Sequence, residues 1–283
     1  MHSSPRLLVV NADDLGFAPG VNRGILEAHL AGTLSSASMM VNTPAFADAV
    51  EMVRTSAPRL GVGLHLNLIC GKPLSAAPTL VDPATSELYP LEALARRALA
   101  GLVDVDDVRR ECDAQLAALE RVGIRPTHMD SHRHAHVLPG ILPAVVASAR
   151  DANVHFVRRP LDQPSLQDPI ASAKMLVLHA AWRTALRGVA PANRELLARA
   201  PHFRGIALQG APDVRERLLA TLDLLPRGAT EIMLHPGYDD AVLAAQDPYR
   251  REREVEVAAL CDPAVRARLE RGDIRLVSFG EIT

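Results

Sequence analysis

Short runs of apolar residues, each followed at once by polar residues, recur along the chain and alternate with stretches of helical periodicity. Runs of this length are typical of buried parallel strands. The clearest helical stretch begins after Asp104, which suits an N-cap, and ends at Gly123, which suits a helix stop. The pattern predicts eight strands, at residues 7–11, 37–42, 60–68, 127–136, 154–158, 203–208, 231–235 and 274–278.

Strand and helix therefore alternate seven or eight times, which is the pattern of an α/β protein with a parallel sheet. At this length the sheet closes most economically into a single barrel, with a doubly wound open sheet as the alternative. Residues 70–88 are rich in proline, alanine, serine and threonine, so we expect an excursion from the frame around residues 70–90. No repeat or linker divides the sequence, and residues 1–283 are expected to form one domain.

Composition limits the classes of protein that the chain can belong to. Of its 283 residues 48% are hydrophobic and 23% are charged, values typical of a soluble globular protein. The net charge of −2 leaves no basic excess for binding nucleic acid. The longest apolar runs are only strand-length, which is too short to span a membrane. Three scattered cysteines suit a reducing compartment, so the expected location is the cytoplasm.

The stretch at residues 127–136 holds four of the eleven histidines. If it is an extended strand, alternate side chains share one face. Four imidazoles and a carboxylate make a poor core but a good metal site, because neutral imidazole is the commonest metal ligand. A solvent-exposed histidine-rich turn is the plain alternative. The side chains that would share this face are those of His128, Asp130, His132, His134 and His136.

Polar side chains stand at or just past the carboxyl ends of six predicted strands. In parallel α/β folds the functional sites form at that edge of the sheet. Side chains from separate strands can therefore meet in one cleft. These side chains are Asp13, Asp14, Asn42, His65, Asn67, Asp130, His132, Arg158 and His235.

A divalent metal ion that activates water needs about three protein ligands and an open position. Asp14, His65 and His132 would supply one carboxylate and two imidazoles, a set well suited to Zn²⁺. Adjacent Asp13 points the other way if its strand stays extended, so it could take a proton while its neighbour binds the ion. His235, on a late strand, could face the cleft from the opposite side as the general acid.

Each of these residues also has a structural interpretation. The two aspartates could cap the helix that follows them, and His65 could be a core histidine. Arg158 could bind a hydroxyl group or orient a carboxylate, or else form a surface ion pair. Other residues are expected to support the site or to bind substrate. His128 and Asp130 would lie behind the ligands, and Asn42, Asn67 and Tyr238 along the cleft. His134 and His136 would lie past the rim, where they could contact substrate, pack inside the protein or face solvent.

Four blocks of the sequence together resemble the YdjC-like carbohydrate deacetylases, a family that includes chitooligosaccharide deacetylases and hopanoid-associated deacetylases. The blocks are NADDLG at 11–16, GLHLN at 63–67, PTHMDSHRHAH at 126–136 and LHPGY at 234–238. They follow the family's order and spacing and cover the chain from near residue 7 to its end. The resemblance implies a distorted (β/α) barrel with seven to eight parallel strands and a metal-dependent hydrolase.

The resemblance also implies roles for individual residues. Asp14, His65 and His132 would bind one divalent metal ion. Asp13 would activate the metal-bound water as the base, and His235 would protonate the departing amine. Family members are described with zinc or with magnesium, and two imidazoles favour zinc. The implied substrate is a small N-acetylated amino sugar, as a mono- or oligosaccharide or in a glycolipid, from which the N-acetyl group is removed.

Two other functions are compatible with the sequence. One is another metal hydrolase on a barrel, such as an amidohydrolase or a phosphoesterase, although these usually carry an HxH motif on the first strand. The other is a non-catalytic carbohydrate-binding protein of the same fold, which the presence of the candidate base and ligands argues against. Only 3% of the residues are aromatic, so we expect mainly polar groups to hold a sugar. Assembly into a homo-oligomer is also compatible with the sequence.

Overall fold

The computed structural model describes residues 6–163 and 168–282, so residues 1–5, 164–167 and 283 of the expected domain lie outside the described part. The strands in the described residues are β1 (Arg6–Leu15), β2 (Ser36–Met39), β3 (Gly61–Leu66), β4 (Val81–Asp82), β5 (Glu87–Leu88), β6 (His128–Ser131), β7 (Phe156–Val157), β8 (His202–Arg204), β9 (Gly228–Leu234) and β10 (Ile274–Leu276). The helices are α1 (Pro19–Leu30), α2 (Phe46–Thr55), α3 (Leu91–Leu99), α4 (Val105–Arg121), α5 (Leu142–Asp151), α6 (Pro169–Ala185), α7 (Pro191–Ala198), α8 (Val214–Asp223), α9 (Ala241–Ala244), α10 (Arg251–Leu260) and α11 (Pro263–Leu269).

A curled parallel sheet forms the frame of the molecule, with the strand order β7-β6-β3-β2-β1-β9-β8. The central strand β1 pairs with β9 along residues 6–12, while β10 pairs with its first residues and β2 with its carboxyl end. No ladder joins β7 to β8 within residues 6–163 and 168–282, so the sheet is a half-barrel that is open on that side. The predicted single-domain α/β class with a distorted parallel barrel is confirmed.

Strand β1 is longer than the apolar run that predicted it. Residues 8–15 are all buried, and they include Asn11, Asp13 and Asp14 as well as apolar side chains. A parallel sheet covered by helices has no solvated face, so polar side chains in its central strand must find partners inside the protein. The strand thereby carries two carboxylates into the interior at its carboxyl end.

The histidine-rich segment is not the extended strand that its alternation predicted. Strand β6 ends at Ser131, and residues His132–Val137 form a 3₁₀ segment. Within it Arg133 and His134 have φ values of 51° and 56°, a left-handed conformation that L-residues rarely adopt. The turn ends the two-residue period, so the side chains beyond Ser131 do not alternate between two faces.

Two further predicted strands are shorter than expected. The strand predicted at residues 154–158 is reduced to the two residues of β7. The strand predicted at residues 203–208 ends at Arg204, because Gly205 has a φ of 140° and the chain turns there. These short strands, β7 and β8, border the open side of the half-barrel.

The excursion at residues 70–90 contains a 3₁₀ turn at Pro78–Leu80 and the antiparallel β4–β5 hairpin. A buried carboxylate on α4 fastens it to the frame, since Glu111 accepts hydrogen bonds from the backbone N–H groups of Leu74 and Ser75. The main hydrophobic core lies between the sheet and its surrounding helices. Among the described helices, none combines the length and the apolar character that crossing a membrane requires.

Candidate metal centre and active site

The two aspartates at the end of β1 lie side by side in the interior. Asp13 is 2% exposed and Asp14 is 1% exposed, and both line the same cavity. Asp14 has a φ of 70°, a left-handed conformation that costs an L-residue about 1 kcal/mol. The strand is therefore not extended at this point, and the expectation that the two carboxylates point in opposite directions is wrong. Both face one site.

Three side chains from separate strands converge beside them. Asp14 Oδ1 lies 2.8 Å from His132 Nδ1 and 3.1 Å from His65 Nε2. One donor atom from each of the three residues lies within 4.8 Å of the others. The carboxyl ends of β1, β3 and β6 thus bring together Asp14, His65 and His132, as the sequence predicted.

The donor atoms of this cluster suit a divalent metal ion. His65 Nδ1 is bound to Asp130 Oδ1 at 2.7 Å, which orients the ring as carboxylates orient metal-binding histidines. Its other nitrogen, Nε2, is buried and lies 3.1 Å from Asp14 Oδ1 but makes no hydrogen bond of good geometry. One carboxylate and two imidazoles are a ligand set that Zn²⁺ accepts. Asp14, His65 and His132 therefore fit a single divalent ion.

The surrounding carboxylates favour a proton on His65 when nothing else neutralises them. Burial by itself lowers the pKa of His65, but the carboxylates of Asp130 and Asp13 outweigh it and raise the pKa to about 10. A metal ion bound by this imidazole must displace that proton. Metal binding is therefore expected to weaken as the pH falls.

A second cluster of donor atoms, formed by Asp13, His65 and Asp130, also has distances that would suit an ion. The guanidinium of Arg158 fills it, because Nη1 lies 2.6 Å from Asp13 Oδ2 and Nη2 lies 2.6 Å from Asp130 Oδ2. Arg158 already supplies the positive charge that these carboxylates need. The second cluster is an ion-pair network, and the cluster around Asp14 is the better candidate metal centre.

Asp13 is held in place by Arg158. Each Asp13 oxygen accepts a hydrogen bond of 2.6 Å from that guanidinium, and Asn11 donates to Oδ1 at 2.9 Å. Burial raises the pKa of Asp13 above its usual value even though Arg158 opposes the shift. Glu231 accepts from Arg158 Nε at 2.8 Å and fixes the far side of the guanidinium. With 3% exposure, Arg158 orients carboxylates in the interior and is not a surface ion pair.

His235 follows β9 and lines the cavity together with Asp13. Its Nε2 lies 4.0 Å from Asp13 Oδ2, and its backbone N–H donates to the carboxylate of Glu256. Its Nδ1 is buried without a hydrogen-bond partner. Burial lowers the pKa of His235 well below its ordinary value. The ring is neutral in this arrangement, so a proton must reach it before it can act as an acid.

Arg253 of α10 reaches the candidate metal centre from a helix that carries no motif. Its Nη2 donates to Asp14 Oδ2 at 2.7 Å and lies 3.3 Å from Asp247 Oδ2, and its Nε donates to the Tyr249 carbonyl at 2.8 Å. Burial disfavours the Asp14 carboxylate, but His132 and Arg253 outweigh it and hold the Asp14 pKa well below its usual value. The arginine is 1% exposed.

A cavity of about 300 Å³ opens onto these groups. A larger cavity of about 470 Å³ borders β8 and α8, but it brings no histidine next to its carboxylates, so it offers no comparable chemistry. Besides the residues already described, the lining of the smaller cavity includes Leu91, Arg133, His134, Lys174 and Gln209.

The last two histidines of the motif lie in different surroundings. His134 lines the cavity, with its Nδ1 buried and unpartnered and its ring edge-on to Phe203 at 5.9 Å. His136 is fully buried away from the cavity, where its Nδ1 lies 2.6 Å from Ser131 Oγ and its Nε2 lies 3.0 Å from the Arg158 carbonyl. Of the two, only His134 is placed to meet a substrate, and His136 packs inside the protein.

His128 and Asp130 lie behind the cluster, as expected for supporting residues. The His128 ring stacks on Phe279 with centroids 4.0 Å apart, and its Nε2 lies 3.1 Å from Ser38 Oγ. Burial lowers the pKa of His128 to about 3, so this ring stays neutral. Asp130 has the direct role of the two, since it binds the ring nitrogen of His65.

The three residues expected along the cleft do not line this cavity. Asn67 is buried and its side chain fixes the turn after β3, where it accepts from Cys70 N and donates to Asn42 Oδ1. Asn42 lines a neighbouring cavity of about 430 Å³. The Tyr238 hydroxyl donates to Glu27 on α1. Tyr238 does not line the cavity, and both its hydroxyl and its backbone N–H are hydrogen-bonded to α1.

Sequence reasoning missed four charged residues of the site, namely Glu231, Arg253, Asp247 and Lys174. Glu231 carried a usable signal, because a carboxylate at the start of a run that is otherwise apolar and buried needs an internal partner. Arg253 and Asp247 lie in a helix and a loop rich in polar residues, and Lys174 is exposed on α6, so a charged side chain is ordinary at all three positions. No motif distinguishes them.

The fold and the site together define an α/β half-barrel protein with an Asp-His-His candidate metal centre at the carboxyl ends of its strands. The YdjC-like protein family matches residues 7–271, and the chain belongs to this family, as its motifs indicated.

Individual relatives are similar over nearly their whole length. A carbohydrate deacetylase from Geobacillus stearothermophilus is 33% identical over 284 residues, covering 98% of each chain. A chitooligosaccharide deacetylase from Yersinia pestis (strain Pestoides F) is 33% identical over 279 residues, covering 97% of this chain and 98% of the relative. A crystal structure of an Enterococcus faecalis V583 protein has a TM-score of 0.78 at 27% identity, covering 99% of this chain and 100% of that one.

Proposed function

We propose that the protein is a metal-dependent hydrolase that removes the N-acetyl group from an N-acetylated amino sugar. The observation that carries the proposal is the convergence of Asp14, His65 and His132 beside Asp13 and His235 at one cavity. The names of the carbohydrate and chitooligosaccharide deacetylases that match the whole chain support the substrate class. The ligand set favours zinc, with magnesium as the alternative.

The residues of the site divide the proton transfers of amide hydrolysis between them. A bound divalent ion supplies Lewis-acid polarisation of the acetyl carbonyl and of the attacking water. Asp13 takes one proton from that water as its oxygen bonds to the carbonyl carbon. Arg158 keeps the Asp13 carboxylate oriented and counters the effect of burial on its charge.

The leaving nitrogen needs a proton as its bond to the carbonyl carbon breaks. His235 Nε2 lies 4.0 Å from Asp13 Oδ2, which is longer than a hydrogen bond. The proton that Asp13 accepts therefore reaches His235 when the two side chains move closer or a water bridges them, and from His235 it passes to the leaving nitrogen. A neutral His235 is the correct starting state for this transfer, because it must first accept a proton. The second proton of the water stays on the new carboxyl group until that acid ionises, and it then also passes to the amine. The products are therefore acetate and the ammonium form of the amino sugar, and both residues return to their initial protonation states.

The substrate class is tested by acetate release from N-acetylglucosamine, diacetylchitobiose and an N-acetylated glycolipid, with metal analysis of the same purified protein. We expect acetate from at least one sugar and about one equivalent of zinc or magnesium per chain. Hydrolysis of phosphoesters or non-sugar amides without acetate release would show a different metal hydrolase. Sugar binding without hydrolysis would show a carbohydrate-binding protein. A cytoplasmic location and a homo-oligomer stay predictions.

The role of Asp13 is tested by Asp13→Asn. The amide oxygen can still accept one of the two Arg158 hydrogen bonds, but the amide cannot take a proton, so we expect kcat to fall about 10²- to 10⁴-fold while the metal content stays unchanged. The control is Asp82→Asn in the β4–β5 hairpin, outside the cavity lining, which should leave kcat unchanged. Unchanged turnover in Asp13→Asn would remove the base assignment.

A further inference from the structure

The two oxygens of the Asp14 carboxylate have different partners. Oδ1 faces the imidazoles, at 2.8 Å from His132 Nδ1 and 3.1 Å from His65 Nε2. Oδ2 accepts a hydrogen bond of 2.7 Å from Arg253 Nη2. One oxygen therefore belongs to the candidate metal centre, and the guanidinium occupies the other.

Arg253 cannot easily leave this position. Its Nε donates to the Tyr249 carbonyl at 2.8 Å, and Nη2 is shared with Asp247 Oδ2 at 3.3 Å. Asp247 is itself 6% exposed and is also approached by Arg133 Nη2 at 3.3 Å. A guanidinium that is 1% exposed and held at three points is a fixed positive charge, since arginine stays protonated inside proteins.

We propose that Arg253 is a positioning residue that restricts Asp14 to binding a metal ion through Oδ1 alone, and that Asp247 holds Arg253 in place for this task. The inference rests on the metal centre of the proposed function. A carboxylate that binds through both oxygens fills two coordination positions and donates more charge to the ion. By engaging Oδ2, Arg253 keeps a position open for water and substrate, which a catalytic ion requires.

The proposal differs from a purely structural ion pair in its consequences for the ion. If Arg253 only supported the fold around Asp14, its loss would misplace the ligand, and metal affinity would fall about 10- to 100-fold. If Arg253 restrains Asp14, its loss frees Oδ2 as an additional ligand atom and removes a positive charge close to the ion. Metal binding is then retained or strengthened while catalysis declines.

The test compares wild type with Arg253→Met and Arg253→Lys, using zinc affinity by chelator competition, the visible absorption of the cobalt-loaded protein, and kcat with KM. For Arg253→Met we expect a zinc dissociation constant no higher than that of wild type. We also expect weaker cobalt absorption, because these bands lose intensity as the coordination number rises above four. The expected kcat is about 10- to 100-fold lower with KM changed less than threefold, because an open position is lost.

Arg253→Lys keeps a positive charge beside Asp14 Oδ2 but lacks the forked guanidinium, so its cobalt spectrum should lie between those of wild type and Arg253→Met. Asp247→Asn leaves Arg253 present but less restrained. It should change the zinc dissociation constant, the cobalt absorption and kcat in the same directions as Arg253→Met, by a smaller factor. This variant and Arg253→Lys decide the question if Arg253→Met does not fold. The matched control is Arg250→Met, since Arg250 is ion-paired with Asp239 near the surface and should match wild type throughout.

A zinc dissociation constant raised more than threefold, with an unchanged cobalt spectrum in every folded Arg253 or Asp247 variant, would overturn the positioning role while leaving the metal centre itself intact. A wild-type protein that takes up neither zinc nor cobalt would overturn the metal centre and the positioning role together. The wild-type titration therefore separates failure of the proposed function from failure of this inference.

Discussion

At the scale of single residues, the site is a network of buried charges. Four carboxylates, those of Asp13, Asp14, Asp130 and Glu231, are each at most 2% exposed, and the buried arginines Arg158 and Arg253 bind all four. Removing one member of a buried ion pair typically destabilises a protein by about 3–5 kcal/mol, because the partner charge is left uncompensated. Both arginines are therefore expected to stabilise the fold, apart from the roles proposed for them in the chemistry.

Glu256 gives a test of buried charge away from the candidate metal ligands. Burial raises its pKa to about 7 from an ordinary 4.5. A raised folded-state pKa means that the stability from this group is complete below pH 4.5 and is lost as the pH rises through 7. The isosteric Glu256→Gln removes this titration. Relative to wild type, we expect the variant to gain about 2–3 kcal/mol of unfolding free energy between pH 5 and pH 8.

The measurement is urea unfolding of both proteins at the two pH values. Glu231, whose burial also raises its pKa to about 7, titrates in both proteins and cancels in the difference. Glu120→Gln on the exposed side of α4 is the control and should show no pH-dependent gain. An equal loss of stability in wild type and Glu256→Gln would show that Glu256 is ionised in the folded protein throughout this range.

At the scale of elements, α1 holds the segment that carries His235. The Tyr238 backbone N–H donates to the Gly20 carbonyl at 2.9 Å, so the segment runs directly against the helix. A Cβ added at Gly24 would lie 2.6 Å from Gly237 Cα, closer than any side chain allows. Glycine at this position permits the backbone contact that places His235 at the cavity.

Gly24→Ala should therefore displace the His235 segment. Overpacking of this kind costs about 1–3 kcal/mol of stability, and misplacing a catalytic group by about 1 Å can lower kcat about 10²-fold. Gly32→Ala is the matched control, because its φ of 79° strains an alanine but nothing lies within 4 Å of the added Cβ. We expect urea unfolding to show a loss of stability in both variants, and kinetic assays to show a fall in kcat only for Gly24→Ala.

Equal kcat values for the two variants would show that α1 does not position His235.

The elements themselves were largely predictable, and the reasons for the exceptions are local. The parallel strands and the candidate ligands at their carboxyl ends follow from apolar runs that end in polar residues. The left-handed backbone at Asp14, Arg133 and His134 could not be predicted in this way. Such a conformation at a non-glycine residue is imposed by surrounding contacts and leaves no periodic signal in the sequence. Arg253 was equally hidden, since a long side chain on a polar helix gives no indication of what it reaches.

At the scale of the whole molecule, the candidate ligands connect strands that are far apart in sequence. Asp14, His65 and His132 lie on β1, on β3 and just after β6, and Arg253 adds α10. The unfolded chain cannot hold these groups together. An ion bound only by the folded protein therefore stabilises the entire domain.

Zinc at 100 times its dissociation constant should raise the free energy of unfolding by about 2.7 kcal/mol, which corresponds to an increase in Tm of about 4–6 °C for a chain of this size. Thermal unfolding with zinc and with a chelator measures the shift. In His65→Ala the buried donor is lost, so we expect neither stoichiometric zinc nor a Tm shift. His29→Ala, on α1 and outside the cluster, should behave as wild type. Stoichiometric zinc in His65→Ala would show that the wrong ligand was chosen.

The central position of β1 has a consequence for synthesis on the ribosome. One edge of β1 is paired with β9 along residues 6–12, and the other edge is completed at its start by β10. Roughly 200 residues separate β1 from β9 in the chain, and translation adds only about 5–20 residues per second. The nascent polypeptide must therefore keep an apolar strand and two acidic side chains without their final neighbours for about ten seconds or longer. Strand β1, residues 6–15, is therefore the segment that a chaperone for emerging hydrophobic chain would be expected to bind.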